Sequence, residues 1–406
     1  MLKGNAVIGQ SGGPTCVINQ SLVGVIEQAH KTDAIENLYG ARHGVSGILK
    51  NDFINLLRED QTTLENVART PSAALGSVRM KPTKEDCRNI FNVFKTNNVR
   101  YFYYIGGNDS AETANIISQV AAQEKYELRT FHIPKTIDND LKVTDHCPGY
   151  GSAARFVAMA FMGDNYDNRS LKGIKINVVM GRHAGFLTAA ARIARQDPDD
   201  APHLIYVPEA VFSKEQFVND VKATMDKYGR AVIAVSEGIH DADGNPIFTT
   251  GEKDSHGNVQ LSGSGALGDH LAGLIKENLG DKLRVRADTF GYLQRSFAGC
   301  ISDVDAMEAR QVGRDAVKYS TESDMDGSVV FKRLGDGADY KVETFVTELK
   351  NMAKHTKSLD SKYISPDGND ITADYLDYVL PLVGELPKIG KLKGYPILDK
   401  CHGCAV

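Results

Sequence analysis

The stretch Tyr101-Phe102-Tyr103-Tyr104-Ile105-Gly106-Gly107-Asn108-Asp109-Ser110 runs from an unbroken apolar and aromatic pulse into a glycine pair and a polar cluster. A pulse of that kind reads as a strand buried on both faces. Behind it, Ala111 to Ala122 carries apolar residues at helical spacing, so the unit is strand, glycine turn, helix. Similar pulses recur at Ala6-Val7-Ile8, Phe131-His132-Ile133, Ile174 to Val179, Leu204 to Val207 and Ala231 to Val235, with another helical segment over Asn19 to Ala29. Strands alternating with helices imply an α/β fold of doubly wound, mostly parallel sheets.

The residues after each pulse say where a ligand would sit. Gln10-Ser11-Gly12-Gly13-Pro14 comes after Ile8, Gly106 to Ser110 after Ile105, and Pro134-Lys135-Thr136-Ile137-Asp138-Asn139-Asp140 after Ile133. Met180-Gly181-Arg182-His183-Ala184-Gly185 comes after Val179, and Ser236-Glu237-Gly238 after Val235. Open α/β sheets bind ligands outside the carboxyl ends of their strands, so these loops are expected to converge on one polar, glycine-rich cleft.

The length of 406 residues favours two domains or one elaborated α/β unit. A net charge of −5, from 47 basic and 52 acidic residues, points to neither nucleic acid nor a membrane surface. No apolar run approaches the roughly 20 residues that span a bilayer. The amino-terminal residues show no signal or transit pattern, and six scattered cysteines suit a reducing compartment, so a cytoplasmic protein is expected. Cys401-His402-Gly403-Cys404 has the spacing of half a zinc site but no second half elsewhere, and reads as a loose terminus. The polar stretch His240 to Pro246, continued by Thr249 to Asn258, reads as a hairpin or surface insertion. From about Lys332 the chain becomes irregular and is expected to pack on the second domain.

Gly12-Gly13 and Gly106-Gly107 each lie between a strand and an expected helix, where backbone N–H groups can approach phosphate oxygens closely. There is no GxxxxGK[ST] motif. Gly263 to Gly268 matches GxGxxG, with Asp288 at a plausible offset, but no buried strand precedes it, and a turn into the helix Leu267 to Leu279 is the better reading. In an extended segment Asp138 and Asp140 point the same way, and their like charges call for a cation or a catalytic duty. Mg²⁺, held by one or two carboxylates and substrate phosphates, fits there, and the other carboxylate could take a proton from an attacking hydroxyl. Among the cations near these loops, Arg79, Lys81, Lys84, Lys135, Arg182, Arg286 and Arg295, the arginines of Met180-Gly181-Arg182 and Tyr292-Leu293-Gln294-Arg295-Ser296 stand within motifs suited to a bidentate phosphate grip.

Taken together, QSGGP, LGSVR, GGNDS, PKTIDND, PGYGSAAR, MGRHAGF, VPE, SEG and YLQRS, in that order over about residues 4 to 310, resemble the phosphofructokinase family and its pyrophosphate-dependent branch. The resemblance implies two α/β domains with the active site between them. Residues 1–149 with about 294–330 would hold pyrophosphate, and 150–293 with about 331–406 would hold fructose 6-phosphate. It also implies a Mg²⁺-dependent, reversible phosphoryl transfer in glycolysis or gluconeogenesis by a homo-oligomer, for which a dimer is expected. Asp138 would be the general base, with Thr136 beside the transferring group and Arg182 assisting. Gly12, Gly13, Arg79, Gly107, Asn108, Asp109, Ser110 and Lys135 would serve the donor. Met180, Gly181, Arg182, Glu237, Arg286, Tyr292 and Arg295 would hold the sugar phosphate, with Thr136 and Asp138 at its reacting end. Metal would fall to Asp109 and Asp140, although Asn108 stands where many relatives carry aspartate. A basic residue lent by a neighbouring subunit is also implied, with Lys172 and Lys175 both in range.

The donor turns on two positions where ATP-using relatives carry glycine, here Asp109 and Lys135. A carboxylate about 4 Å from a nucleotide α-phosphate would repel it by roughly 4 kcal/mol at a surface-like dielectric. Lysine at the second position fills space and adds charge suited to a short, highly anionic donor. An ATP-dependent enzyme and a non-catalytic sugar-phosphate-binding subunit are the competing expectations, and sedoheptulose 7-phosphate stays open as a second acceptor.

Overall fold

The structure, a computed structural model, describes residues 2–249, 265–353 and 356–392. All the strands read from sequence are present: β1 (Gly4–Gln10), β4 (Val99–Gly106), β5 (Arg129–Pro134), β6 (Ile174–Val179), β7 (Leu204–Tyr206) and β8 (Ala231–Ser236). Five further strands complete the described set, β2 (Ile35–Ala41), β3 (Phe53–Asn55), β9 (Val285–Thr289), β10 (Gly327–Gly335) and β11 (Lys341–Thr347). They form two sheets, one ordered β11-β10-β5-β4-β1-β2-β3 and the other β7-β8-β6-β9. The first is parallel from β2 through β10, with antiparallel strands at its two edges, and the second is wholly parallel.

Parallel strands are covered on both faces, and the central ones here are almost wholly apolar. Phe102 and Tyr104 of β4 face Ile90, Phe94 and Ile117, while Tyr101, Tyr103 and Ile105 alternate to the opposite face with Ile18, Leu22 and Val312. That second layer pairs helix Ile18–Ala29 with helix Asp303–Glu322. They meet at Gly24 and Gly313, where an added Cβ would fall 2.1 Å from Arg310 O and 2.1 Å from Ser21 O respectively. Any side chain there would drive the helices apart.

The long helix Tyr150–Ser170 lies against the second sheet and against helix Asp374–Val383. Its first turn is fixed by Asp305, whose carboxylate accepts from Gly149 N (2.8 Å) and Ser152 N (2.9 Å). One carboxylate thus ties the helix that leaves the first sheet to the helix that returns to it.

The carboxy-terminal third departs from the sequence reading. Residues 327–347 form a β10–β11 hairpin that joins the first sheet through β5, with Gly327 opposite Phe131 and Ser328 opposite His132. The boundary expected near residue 331 thus falls within a strand that pairs with the first sheet. The physical reason is that Val329, Val330 and Phe331 are a buried apolar run that completes the edge beside β5. Beyond the hairpin, Leu359, Ile371, Tyr375, Val379 and Leu382 do pack with the second unit. His240 pairs with Pro246 across a tight turn, as a hairpin should, whereas 250–258, the first two residues of the GxGxxG run and the Cys401–Cys404 tail lie outside the described residues.

Candidate active site

The loops after β1, β4, β5, β6 and β8 converge on a cleft of about 370 Å³. Its walls include Gly12, Gly13, Arg79, Gly107, Asn108, Asp109, Ser110, Lys135, Thr136, Asp138, Asp140, Met180, Arg182 and Glu237, the set expected from sequence except Gly181, Arg286, Tyr292 and Arg295. Backbone bonds lace the loops together: Ser11 N to Ile105 O (2.9 Å), Lys135 N to Gly106 O (2.9 Å) and Glu237 N to Val179 O (2.9 Å).

On the first side the glycine pair is pressed by cations. Gly12 has a φ of +75°. A Cβ there would reach within 3.3 Å of the Lys135 ammonium, and a Cβ on Gly13 would lie 2.6 Å from an Arg295 nitrogen and 3.6 Å from one of Arg79. Lys135 Nζ itself donates to Gly13 O at 2.6 Å. Burial, then the charges of Arg295 and Arg79, push the Lys135 pKa down to about 8 despite the opposing pull of Asp138 and Asp140. Three cations crowded on a glycine loop form a site that an anion would relieve.

The helix behind Gly106-Gly107 spans Asn108–Gln123, so Asn108, Asp109 and Ser110 occupy its first turn, where Ser110 N donates to Gly107 O at 3.1 Å. The corresponding expectation for Gly12-Gly13 changes, because the helix there opens only at Ile18. A helix dipole acts within its first turn, so charge at Gly12-Gly13 comes from Lys135, Arg79 and Arg295 instead.

Asp138 faces these cations across the cleft. Burial first, then the charges of Asp140 and Glu237, raise its pKa to about 7, with Lys135 and Arg182 pulling the other way. Its backbone N–H donates to Thr136 Oγ1 at 3.1 Å, which fixes the turn. Asp140 is likewise raised by burial, opposed by the charges of Lys357, His183 and Lys135. The carboxylates expected to hold metal are placed differently: Asp140 is beside Asp138, while Asp109 stands at the cleft wall, 67% exposed, with Lys81 at 3.8 Å. Lys81 also pairs with Glu112 at 3.1 Å, and Lys84 opens the helix Lys84–Thr96 rather than joining the cleft.

Among the described residues no three His, Cys, Asp or Glu side chains cluster tightly enough to hold a metal by themselves. The donor set fits Mg²⁺ nonetheless, since that ion takes one or two carboxylates and completes its shell with water and substrate phosphate. Two half-buried, mutually repelling carboxylates facing an anion loop are such a place.

On the second side Gly181 N points to Glu237 Oε1 (3.5 Å), Ser236 Oγ donates to Gly181 O (2.6 Å) and Met180 N donates to Gln294 Oε1 (3.1 Å). The guanidinium of Arg295 lies 4.4 Å over the Tyr292 ring, which is half exposed. Arg286 is not brought into the cleft. On β9 it lies opposite Lys175 of β6, and with Lys175, Arg284 and Asp288 it lines a separate cavity of about 280 Å³. Asp288, the acid of the GxGxxG reading, is paired with Lys175. Gly265, at φ +68°, turns the chain into helix Ala266–Leu279.

His183 and Met80 also line the cleft and carried no assignment from sequence. His183 directly follows Arg182, and its place in the MGRHAG loop was the available signal.

A family model described as Phosphofructokinase matches residues 5–320. A curated relative from Rhodospirillum rubrum, named Pyrophosphate--fructose 6-phosphate 1-phosphotransferase, is 53% identical over 388 residues, covering 95% of each chain. One of the same name from Xanthomonas campestris is 37% identical over 407 residues, 98% of this chain and 96% of its own. Among solved structures, a pyrophosphate-dependent phosphofructokinase from Marinobacter aquaeolei superposes with a TM-score of 0.83 at 32% identity, covering 98% of both chains.

Proposed function

Because the chain belongs to the phosphofructokinase family, we propose that it is the phosphotransferase its cleft fits: it moves a phosphoryl group reversibly between pyrophosphate and the 1-hydroxyl of fructose 6-phosphate. The observation that carries the donor is Lys135, whose ammonium sits on Gly13 O at 2.6 Å amid Arg79 and Arg295. Pyrophosphate offers only charged oxygens, and this corner offers only cations and backbone.

In this reading Gly12, Gly13, Arg79 and Lys135 grip the donor, and the first turn at Asn108 to Ser110 closes its far side. Asp138 takes the proton from the sugar 1-hydroxyl as its oxygen attacks phosphorus, and returns it in the reverse direction. A base whose pKa is raised to about 7 is matched to that exchange near neutral pH. Thr136 stands beside the transferring group, while Met180, Gly181, Arg182, Glu237, Tyr292 and Arg295 hold the sugar phosphate. Asp140 would hold Mg²⁺ together with donor oxygens, with Asp109 at the outer wall; when bound, the ion would supply charge neutralisation for the transferring phosphoryl group. Phosphoryl transfer asks the protein mainly for positioning and electrostatics, and each of these residues supplies one or the other.

The functional unit is a homo-oligomer, a dimer in the simplest case. Arg286 and Lys175 lie apart from the cleft of their own chain and would complete the sugar-phosphate site of a neighbour. Sedimentation velocity tests this: a single monomeric boundary under assay conditions contradicts it. No described helix is long and apolar enough to cross a membrane, and the reaction is assigned to the cytoplasm.

Phosphorus NMR tests the reaction itself. With Mg²⁺ and pyrophosphate, orthophosphate should appear one-for-one with fructose 1,6-bisphosphate and only when fructose 6-phosphate is present. Release of two orthophosphates without sugar would mark a hydrolase instead.

A further inference from the structure

The turn that carries Asp138 and Asp140 continues through residues 141–147 in a conformation that local sequence does not favour. Asn139 has a φ of +58° and Val143 a φ of +71°, and a β-branched residue in the left-handed region is an outlier that the surroundings must hold in place. The turn is fastened on one side to β10, where Asp145 N donates to Phe331 O at 3.0 Å. On the other side it is fastened by the segment beyond residue 355.

Thr356 bridges Leu141 in antiparallel fashion, and Lys357 N donates to Asp140 O at 2.7 Å. The Lys357 ammonium donates to Thr144 O (3.0 Å) and Asp145 O (2.5 Å). Tyr378, from helix Asp374–Val383, donates its hydroxyl to the same Asp145 O at 3.0 Å and accepts from Asn139 Nδ2 at 2.7 Å. Asn139 Oδ1 in turn accepts from Cys147 N at 3.0 Å. Neither Lys357 nor Tyr378 lines the cleft.

We propose that Lys357 and Tyr378 are positioning residues, which set the direction of the Asp138 carboxylate by bracing the left-handed turn behind it from the carboxy-terminal segment. The inference rests on the reading of Asp138 as the base. A brace of this kind governs turnover more than binding, because small misplacements of a reacting group cost rate.

Tyr378→Phe keeps the ring, which packs on Phe186, Tyr363 and Tyr375, and removes only the hydroxyl. Lys357→Met keeps the stem and removes the ammonium. Each is measured alone and in an Asp138→Asn background, by initial rates and thermal unfolding. In the single variants kcat should fall roughly 10- to 100-fold, with KM for fructose 6-phosphate little changed and the unfolding temperature close to wild type. In the Asp138→Asn background the same substitutions should cost less than about twofold, since they act through a base already removed. Wild-type kcat in folded Tyr378→Phe and Lys357→Met overturns the inference, and so does a loss that multiplies in full in the Asp138→Asn background. Should Lys357→Met fail to fold, Tyr378→Phe decides alone. Wild-type turnover in Asp138→Asn overturns the reading of the base itself, whereas an inactive Asp138→Asn beside unaffected brace variants overturns only the brace.

Discussion

At the ends of β1, β4 and β5 the cleft is lined by glycine backbone and by cations that crowd one another, with Lys135 on Gly13 O and Arg79 and Arg295 against the same loop, and by the carboxylates of Asp109, Asp138 and Asp140 around them. At the ends of β6 and β8 it is lined by Met180, Arg182, His183 and Glu237, a mixture of thioether, cation, ring and acid. In the proposed reading the first sheet serves the anionic donor and the second the sugar phosphate. Asp138 sits at the seam and feels charges from both, Lys135 from one and Glu237 and Arg182 from the other. Two sheets of like topology have been given different chemistry by the loops at the ends of their strands.

The seam should be the most sensitive place. Asp138→Asn keeps the shape of the carboxylate and removes its basicity, and kcat is expected to fall on the order of 10²- to 10⁴-fold with KM for fructose 6-phosphate nearly unchanged. Initial rates at saturating substrates check this, and an unaltered kcat would leave the seam without a base.

The two sides should then separate kinetically. A charge-assisted contact is worth about 1.5–3 kcal/mol, so Lys135→Met should raise KM for pyrophosphate roughly 10- to 100-fold while KM for fructose 6-phosphate stays within about twofold. Glu237→Gln should do the reverse by roughly 10-fold, raising KM for the sugar phosphate alone. If either variant shifted both constants equally, the division of labour between the sheets would be wrong.

Much of this contrast was legible in the sequence, because apolar pulses mark strands and glycine or charge at their ends marks the ligand side. Other parts were not legible, for physical reasons. In β2, Glu36 and Asn37 interrupt the apolar pattern while Ile35, Leu38 and Ala41 still bury, and β9 is an edge strand that alternates Val285 and Ala287 with Arg286 and Asp288. The β10–β11 hairpin takes its place from pairing with β5, nearly 200 positions earlier in the chain, as His132 opposite Ser328 shows. Such a partner has no local signature. Arg286, assigned to the sugar phosphate only through the family resemblance, lines another cavity, since a residue type does not report the side of the sheet it reaches. Lys357 lies in an irregular stretch, Tyr378 on a short helix that buries Tyr375, Tyr378, Val379 and Leu382, and both meet the Asp138 turn only through the fold.

The smallest expected effect concerns stability, where the two halves should behave alike. Burial pushes His132, in β5, down to about 4 and His203, just before β7, down to about 3. Each folded-state value lies below the ordinary histidine value near 6.5, so the unfolded chain binds more protons in between. Their contributions are present above about pH 6.5 and are lost as pH falls toward 4 and 3. Between pH 7 and 5 the wild type should therefore lose stability relative to His203→Gln, on the order of 1 kcal/mol, read from urea midpoints. A difference that stays constant with pH would mean that His203 is not held neutral by the fold.

Most depends on the donor. Purified protein given fructose 6-phosphate and saturating Mg²⁺ should form fructose 1,6-bisphosphate rapidly from pyrophosphate and little from ATP at equal concentration. A higher kcat/KM with ATP than with pyrophosphate would contradict this, since Lys135 and Asp109 would then not select the short donor.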